Sequence, residues 1–223
     1  MTLRMVKNCP DATHQFAWLM KLPDYMRPPN LRWHEGAEAN PLNEYSYDYV
    51  EGHHPRNWLT VWRIMDIYVW CGSEHLKYSQ HEYCEYMRMI MIKLCNPADA
   101  VCYEGFLDII MKAELTPVAR CHGDLTLYNV IMRKHHGMVL IDPGHCRGLP
   151  CRELDESKLM QSIDGFDVIH KGLPPACVIP KFQARKVHWA LLATHYIRML
   201  RHVQDESLAF AYNRIAQIKE MIL

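Results

Sequence analysis

The sequence predicts an α+β fold with two unequal lobes, in which a small N-terminal β lobe precedes a larger and mainly helical lobe. Two observations favour this fold class. Strand-like segments occur mostly before Gly52, whereas helical periodicity dominates after it. In addition, a single clear β-hairpin is embedded among the helices, near residues 129–142. We therefore expect one lobe at 1–51 and the other at 52–223.

The N-terminal lobe is predicted from three strand-like segments and one helix. The strand-like segments are TLRMVK (2–7), LRWHEGAE (31–38) and NEYSYDYVEG (43–52). The helix covers HQFAWLMKL (14–22) and stops before Pro23. Asp11 or Thr13 is positioned to cap its first turn, because both side chains can accept a hydrogen bond from a free backbone N–H.

The second lobe is predicted to be helical because apolar residues recur there at intervals of three or four. The expected helices cover 58–69, 78–94, 99–113, 155–166, 184–202 and 207–223. Aromatic and methionine stripes on these helices indicate core packing rather than a cofactor site. The hairpin pairs NVIMRK (129–134) with MVLID (138–142), and Gly137 supplies the positive φ of its turn. A proline-rich connection spans 173–180.

The overall composition narrows the partners and the compartment. Basic and acidic residues balance at 25 each, so net charge gives no reason to expect nucleic acid or an anionic membrane as a partner. No apolar run approaches the ~20 residues that a membrane-spanning helix needs. Residues 1–15 do not resemble a secretory signal, so we expect a cytoplasmic protein. The nine cysteines and 14 histidines show no spacing typical of a structural zinc site.

The most informative pattern joins His122-Gly123-Asp124, Asn129 and the last residue of the hairpin, Asp142. Phosphoryl transfer needs a carboxylate that orients the attacking hydroxyl and takes its proton, and oxygen ligands that hold Mg²⁺ against the phosphates. Because the hairpin brings the chain back to its start, Asp142 is expected beside Asn129. The alternative is that Asp124 and Asn129 only cap turns and that Asp142 only ends a strand.

The same residues resemble a known family. HGDLTLYN (122–129) resembles the catalytic loop of the aminoglycoside phosphotransferase and choline kinase group, and IDPG (141–144) resembles the metal-binding turn where protein kinases carry DFG. The resemblance implies a protein kinase-like two-lobe fold with ATP and Mg²⁺ as cofactors. It also implies that Asp124 is the catalytic base and that His122 braces the loop. Asn129 and Asp142 would then bind Mg²⁺.

Two further segments extend the resemblance. LDESKLMQS (154–162) is similar to the next helix of the family, whose aspartate hydrogen-bonds back to the catalytic loop. This similarity implies a bracing role for Asp155, although an ordinary helix cap would look the same. YSYDYVEGH (45–53) resembles the hinge strand against which the adenine ring lies. The backbone contacts to adenine are then expected from Tyr47, Tyr49 and Val50.

The acceptor is expected to be a small hydroxylated molecule. Only twelve residues separate Asp142 from Asp155, which is too few for the long segment on which protein kinases bind a peptide. The combined motifs are most similar to phosphotransferase-type proteins found near bacterial surface-sugar pathways, which suggests a sugar, an amino sugar or a similar acceptor. Asp164 and Asp167 could meet a cationic acceptor, but solvated loop charge is the simpler interpretation.

The N-terminal lobe departs from the family pattern. The sequence contains no GxGxxG motif and no glycine before Gly36. Lys7 falls where the phosphate-binding lysine is expected, with Arg4 as the alternative. The following helix has no glutamate to pair with that lysine, and Gln15 or His14 occupies the approximate place.

Three explanations are therefore open for this lobe. The protein could be an active enzyme with a minimal nucleotide clamp, or a catalytically degenerate module that binds a ligand or a regulatory partner. Alternatively, a partner chain or a second copy of this chain could complete the lobe. A zinc-dependent hydrolase is a further alternative, based on the pairs His53-His54, His135-His136 and His145-Cys146.

Overall fold

The computed structural model describes residues 3–34, 44–94, 97–134, 137–166, 169 and 184–223. Within these ranges the fold is α+β and mostly helical, with two small antiparallel sheets. Some features expected from the sequence lie outside the described residues: His135 and His136 of the hairpin turn, the proline-rich connection at 173–180, Gly36 and Asp167.

The first sheet contains all three strands predicted for the N-terminal part of the chain. Its strands are β1 (Arg4–Asn8), β2 (Arg32–His34) and β3 (Glu44–Asp48), in the order β1-β3-β2. Lys7 pairs with Tyr45 in the β1–β3 ladder. Tyr45 and Tyr47 are both buried, as expected for the central strand of a sheet with a covered face. This burial anchors β3, and β1 is attached to the rest of the molecule through its ladder with β3.

Helix α1 (Ala12–Met20) follows β1 and packs on the sheet, where the ring of Phe16 contacts those of Trp33 and Tyr45. Trp18, which is buried, instead contacts the HGD segment through His122. The helix ends before Pro23, as the sequence predicts, and a short 3₁₀ turn (Asp24–Met26) follows. Asp11 occupies the N-cap position, but its side chain makes no capping hydrogen bond. The capping role predicted for Asp11 is therefore wrong, because its carboxylate instead bonds His145 Nε2 at 2.7 Å.

The next helices bury the apolar faces that their periodicity predicts. Helix α2 (Trp58–Met65) starts at Asn57, whose side chain accepts a hydrogen bond from Leu59 N, and continues into a π-helical turn (Asp66–Trp70). Helices α3 (Gln80–Leu94) and α4 (Pro97–Lys112) follow. The inward positions include Trp58, Val61, Met65, Tyr83 and Met87, all of which are buried.

The predicted hairpin forms the second sheet. A 3₁₀ turn (Leu127–Asn129) leads into β4 (Val130–Arg133), which pairs with β5 (Gly137–Leu140). Gly137 has φ +74°, in agreement with the expected turn geometry. Helices α5 (Arg152–Ile163), α6 (Lys186–Met199) and α7 (Asp205–Ile222) complete the fold, with α6 packed between α5 and α7. Among the described helices, none combines the length and apolar character needed to cross a bilayer.

Among the helix side chains that the structure describes, buried carboxylates and a buried ammonium group occur in α5. Its buried residues include Glu153, Asp155, Glu156 and Lys158. Buried charge is costly unless it is paired or hydrogen-bonded, so each of these groups needs a partner. Glu156 accepts hydrogen bonds from Trp62 Nε1 at 2.7 Å and Arg152 Nε at 3.0 Å, and lies 2.8 Å from His188 Nε2. Glu153 bonds Thr116 and Arg185.

Candidate functional site

The loop at 122–129, here called the HGD loop, lies against the turn that follows β5. Gly123 has φ +75°, and a Cβ at this position would lie 2.6 Å from the carbonyl oxygen of Gly144. Both constraints favour glycine, because an L side chain would be strained and would clash with backbone. Gly144 N donates to the carbonyl of His122 at 2.8 Å, which holds the two segments together.

Asp155, at the start of α5, holds the HGD loop from behind. Its Oδ2 accepts hydrogen bonds from His122 N and Trp70 Nε1, each at 2.9 Å, and its Oδ1 accepts one from Gly123 N at 2.8 Å. The side chain is fully buried. Burial raises the pKa of Asp155, and His122, Trp70 and the two backbone N–H groups partly offset this effect. The bonds to the loop are those that the family resemblance implies for a bracing aspartate.

His122 supports the loop as a neutral imidazole. Its Nδ1 accepts a hydrogen bond from Asp124 N at 3.3 Å, so its Nε2 carries the hydrogen that is donated to the carbonyl of Ile141 at 3.0 Å. Burial lowers the pKa of His122, and the nearby carboxylates only partly oppose this effect. Trp18 of α1 lies edge-on to the imidazole, with ring centroids 5.0 Å apart. His122 therefore fixes the position of the loop relative to β5.

Asp124 is held between an amide and an ammonium group. Its Oδ2 accepts a hydrogen bond from Asn129 Nδ2 at 2.9 Å, and its Oδ1 lies 2.9 Å from Lys158 Nζ. Burial raises the pKa of Asp124, but Lys158, His122 and Arg198 together lower it by more. The net pKa lies below its usual value, so the carboxyl group is ionised at neutral pH. Asp124 can therefore accept a hydrogen bond or a proton.

Asp142, just after β5, pairs with Lys7 of β1. Lys7 Nζ lies 2.6 Å from Asp142 Oδ2. The other oxygen, Oδ1, is buried and has no hydrogen-bond partner among the described residues. Asp142 also has φ +51°, a conformation that aspartate tolerates better than most residues and that is common where a side chain is held for function. A buried carboxylate oxygen without a partner is a suitable ligand for a cation.

The side-chain oxygens that are available at this site suit a hard cation that keeps most of its water ligands. Asn129 uses its Nδ2 for both of its side-chain hydrogen bonds in the described part of the chain, which leaves its Oδ1 available. Its carbonyl accepts a hydrogen bond at 3.0 Å from the N–H of Ile141, the neighbour of Asp142. Mg²⁺ is bound in this way, by one or two protein oxygens together with water and phosphate. Within the described ranges, no three His, Cys, Asp or Glu side chains are grouped as a metal cage.

A cavity of about 440 Å³ lies beside the HGD loop, and its lining among the described residues does not include Asn129 or His122. Asp124, Asp142, Lys7 and Lys158 all line it. The cavity thus brings together side chains from β1, the HGD loop, the turn after β5 and α5, although they are spread over more than 150 positions of sequence. Arg4 does not line the cavity in the described part of the molecule, so Lys7 is the lysine or arginine of β1 that meets Asp142.

The residues predicted for the adenine hinge do not line this cavity. Tyr47 and Val50 are buried and Tyr49 is 53% exposed; none of these three lines the cavity. The backbone N–H of Tyr49 already donates to the carbonyl of Leu3 at 2.8 Å. Gln15 does line the cavity, but it accepts a hydrogen bond from Tyr45 rather than pairing with a lysine.

No protein-family model matches this chain, and no curated protein does. The evidence for a function therefore lies in the side chains of this chain and their geometry.

Lys158 is the site residue whose role the sequence did not predict. It is 5% exposed, and its Nζ contacts both Asp124 and Gln161 Oε1, the latter at 3.0 Å. Asp155, Lys158 and Ser162 are spaced so that they share one helix face, and Ser162 Oγ accepts from Leu127 N at 2.9 Å. A polar i, i+3, i+7 pattern after the HGD motif is the signal that could have identified this face.

The histidine pairs considered for zinc have other contacts. His54 Nδ1 lies 3.0 Å from the carbonyl of Val130, and His145 Nε2 lies 2.7 Å from Asp11 Oδ1. His135 and His136 lie outside the described residues. The zinc hydrolase alternative thus gains no ligand set from the part of the chain that the structure describes.

The buried histidines predict a loss of stability in mild acid. Burial lowers the pKa of both His122 and His195 below the usual 6.5. Below that pH the unfolded chain takes up protons that the folded chain does not bind, so protonation favours unfolding. We expect the free energy of unfolding to fall between about pH 7.5 and 5.5, by up to about 1.4 kcal/mol per histidine per pH unit.

Urea denaturation followed by tryptophan fluorescence measures this effect. The variant His195→Asn should show a shallower pH dependence, whereas His75→Gln, which removes an exposed histidine, should keep the wild-type slope. A denaturation midpoint that does not change over this pH range would contradict the assignment of neutral, buried imidazoles.

Proposed function

We propose that this protein is an ATP- and Mg²⁺-dependent phosphotransferase that acts on a hydroxyl group of a small molecule. The observation that carries the proposal is the pair of carboxylates in one cavity, each with a lysine. Asp124 lies beside Lys158 and Asn129, and Asp142 lies beside Lys7 with one unpartnered oxygen. On this proposal the chain has a protein kinase-like fold with lobes at 1–51 and 52–223, similar to the aminoglycoside phosphotransferase and choline kinase group.

Asp124 has the properties required of the group that receives the acceptor hydroxyl. It lines the cavity, it is ionised at neutral pH, and its orientation is fixed by hydrogen bonds from Asn129. In phosphoryl transfer, positioning of the hydroxyl contributes more than base strength, so a carboxylate of low pKa is suitable. Lys158 keeps the carboxylate ionised and in place, and it is thus a positioning residue.

Asp142 and Asn129 are the side chains that would hold Mg²⁺. Bound Mg²⁺ supplies neutralisation of the negative charge on the phosphates. Asn129 Oδ1 and Asp142 Oδ1 are available in the described part of the chain, whereas Asp142 Oδ2 is already in contact with Lys7. Lys7 can exchange its contact with the Asp142 carboxylate for a contact with a phosphate oxygen. The phosphate then replaces the carboxylate as the counter-ion of Lys7.

Calorimetric titration with Mg·ATP tests the nucleotide half of the site. Wild-type protein should bind Mg·ATP, and Asp142→Ala should weaken this affinity by about tenfold or more because it removes the free carboxylate oxygen. Asp108→Ala is the matched control, since Asp108 is exposed and makes no hydrogen bond or ion pair among the described residues. Absence of Mg·ATP binding by the wild type would refute the proposal and favour a binding or regulatory module.

A further inference from the structure

The cavity that contains Asp124 carries an excess of positive charge. Its described lining includes five lysines and arginines against three aspartates, in a protein whose overall charges balance. Lys7, Lys158 and their carboxylates account for two ion pairs. The remaining cations form a group that we call the arginine cluster, namely Arg147, Arg198 and Arg201.

The arginine cluster makes no ion pair with any carboxylate in the part of the chain that the structure describes. No Asp or Glu side chain of the described residues lies within ion-pair distance of these three guanidinium groups. Instead, Arg147 and Arg198 share one aromatic ring: their Cζ atoms lie 5.0 and 6.0 Å from the centroid of Tyr86. Arg201 contacts the ring of His202 at 2.7 Å. Two guanidinium groups on one ring repel each other, and a bound anion relieves this repulsion.

The fold assembles the arginine cluster from distant parts of the chain. Tyr86 lies on α3, Arg147 lies in the turn after β5, and Arg198 lies in the last turn of α6. Arg198 is partly buried, so its charge acts through a medium less polar than water. A cation held in this way costs free energy unless it has a counter-ion, which a ligand can provide.

The arginine cluster belongs to the Asp124 side of the cavity. A Cβ at Gly123, the neighbour of Asp124, would lie 3.1 Å from Sγ of Cys146, which directly precedes Arg147. Arg198 is also among the cations that lower the pKa of Asp124, against the effect of burial. Asp142, by contrast, is held by Lys7 from β1. The nucleotide phosphates are expected beside Lys7 and Asp142, so the arginine cluster is positioned for the other substrate.

A buried hydrogen-bond acceptor also lines the cavity. Ser157 Oγ donates to the carbonyl of Leu154, so it accepts a hydrogen bond from His195 Nε2–H at 2.8 Å. Nδ1 of the same imidazole then carries a lone pair, and it is buried without a partner among the described residues. The hydroxyl group of a ligand is a donor that could satisfy this atom.

We propose that the acceptor is an anionic hydroxyl compound, such as a sugar or alditol with a carboxylate or phosphate group that binds Arg147 and Arg198. This inference rests on the proposed phosphotransferase function. In the reaction, the acceptor oxygen forms a bond to the γ-phosphorus of ATP, the bond to the β-phosphate oxygen breaks, and ADP leaves. The hydroxyl proton passes to Asp124. A cationic amino sugar fits this charge distribution poorly.

Four sugars of similar ring structure test the charge preference: glucose, glucuronic acid, glucose 6-phosphate and glucosamine. Calorimetry without nucleotide should show at least one anionic sugar binding about tenfold or more tightly than glucose, with glucosamine weakest. The two anionic sugars distinguish a carboxylate from a phosphate. Equal binding of all four sugars, tighter binding of glucosamine, or failure of both anionic sugars to bind would overturn the proposal.

Charge-matched variants locate the binding site. The double variant Arg147→Gln/Arg198→Gln should lose the preference for the anionic sugar, whereas Arg56→Gln/Arg63→Gln removes the same charge from exposed positions outside the cavity lining and should retain it. If the first variant instead weakens Mg·ATP and leaves sugar binding intact, the arginine cluster serves the nucleotide and the proposal is wrong. Arg147→Gln alone, at an exposed position, provides a milder variant if the double variant does not fold, and it should also reduce the preference for the anionic sugar.

The two proposals can fail separately. Asp142→Ala should weaken Mg·ATP without weakening the anionic sugar, because Asp142 lies beside Lys7 rather than the arginine cluster. If the wild type binds the anionic sugar but transfers no phosphoryl group to it from Mg·ATP, the anion site stands and the phosphotransferase proposal fails. If the wild type transfers the phosphoryl group to glucosamine in preference to the anionic sugars, the phosphotransferase proposal stands and the proposed anion site fails.

Discussion

Replacement of Asp124 by alanine is expected to lower the rate of phosphoryl transfer by about three orders of magnitude. The substitution removes the carboxylate that orients the acceptor hydroxyl and receives its proton. It also leaves Lys158, which is 5% exposed, without the anion that balances its charge. The rate loss should appear mainly in kcat, because the contact with the reacting hydroxyl is strongest in the transition state.

Two comparisons separate this effect from simple unfolding. Asp124→Asn keeps the shape of the side chain but not its charge, so it should lose most of the activity while retaining the thermal stability better than Asp124→Ala does. Mg·ATP affinity should change little in either variant, because the predicted metal ligands are Asn129 and Asp142. Turnover that persists in Asp124→Ala at the wild-type rate would rule out Asp124 as the base.

Replacement of Asp155 by alanine should lower the free energy of unfolding by about 3–5 kcal/mol, more than any other substitution proposed for this protein. Asp155 is fully buried and accepts hydrogen bonds from His122 N, Gly123 N and Trp70 Nε1. Alanine leaves three buried donors unsatisfied, and each costs about 1–3 kcal/mol. A loss of this size is a large part of the total stability of a typical domain, about 5–15 kcal/mol.

Urea denaturation of the purified variants measures the loss, with Asp108→Ala as the control. The control removes an exposed carboxylate from α4 and should change the free energy of unfolding by less than about 0.5 kcal/mol. An Asp155→Ala variant as stable as the control would show that the carboxylate does not support the HGD loop.

The helices and the hairpin could be predicted from the sequence because each depends on residues close together in the chain. Apolar periodicity located the described helices, and the Gly137 turn identified the hairpin with its positive φ. Asp124 and Asn129, which are five residues apart, also form a direct hydrogen bond. The role of Asp11 was predicted wrongly because its carboxylate forms a contact with His145, far away in sequence.

The rest of the site depends on contacts that no local pattern encodes. The arginine cluster lies together only because α3, the turn after β5 and the end of α6 meet around Tyr86. Lys158 resembles any polar residue of a surface helix until α5 is seen to be buried. The hinge prediction for Tyr47, Tyr49 and Val50 remains a prediction, since the cavity described here does not reach these residues.

The ion pair between Lys7 and Asp142 has a consequence for biosynthesis. Its two residues are 135 positions apart, so a ribosome that adds about 5–20 residues per second makes Asp142 roughly 7–27 s after Lys7. The arginine cluster is completed later still, when α6 has been made. A nascent chain therefore carries Lys7 on an early strand while its carboxylate partner does not yet exist. Translation products that stop before α6 would lack the assembled cavity, even though they contain the whole HGD motif.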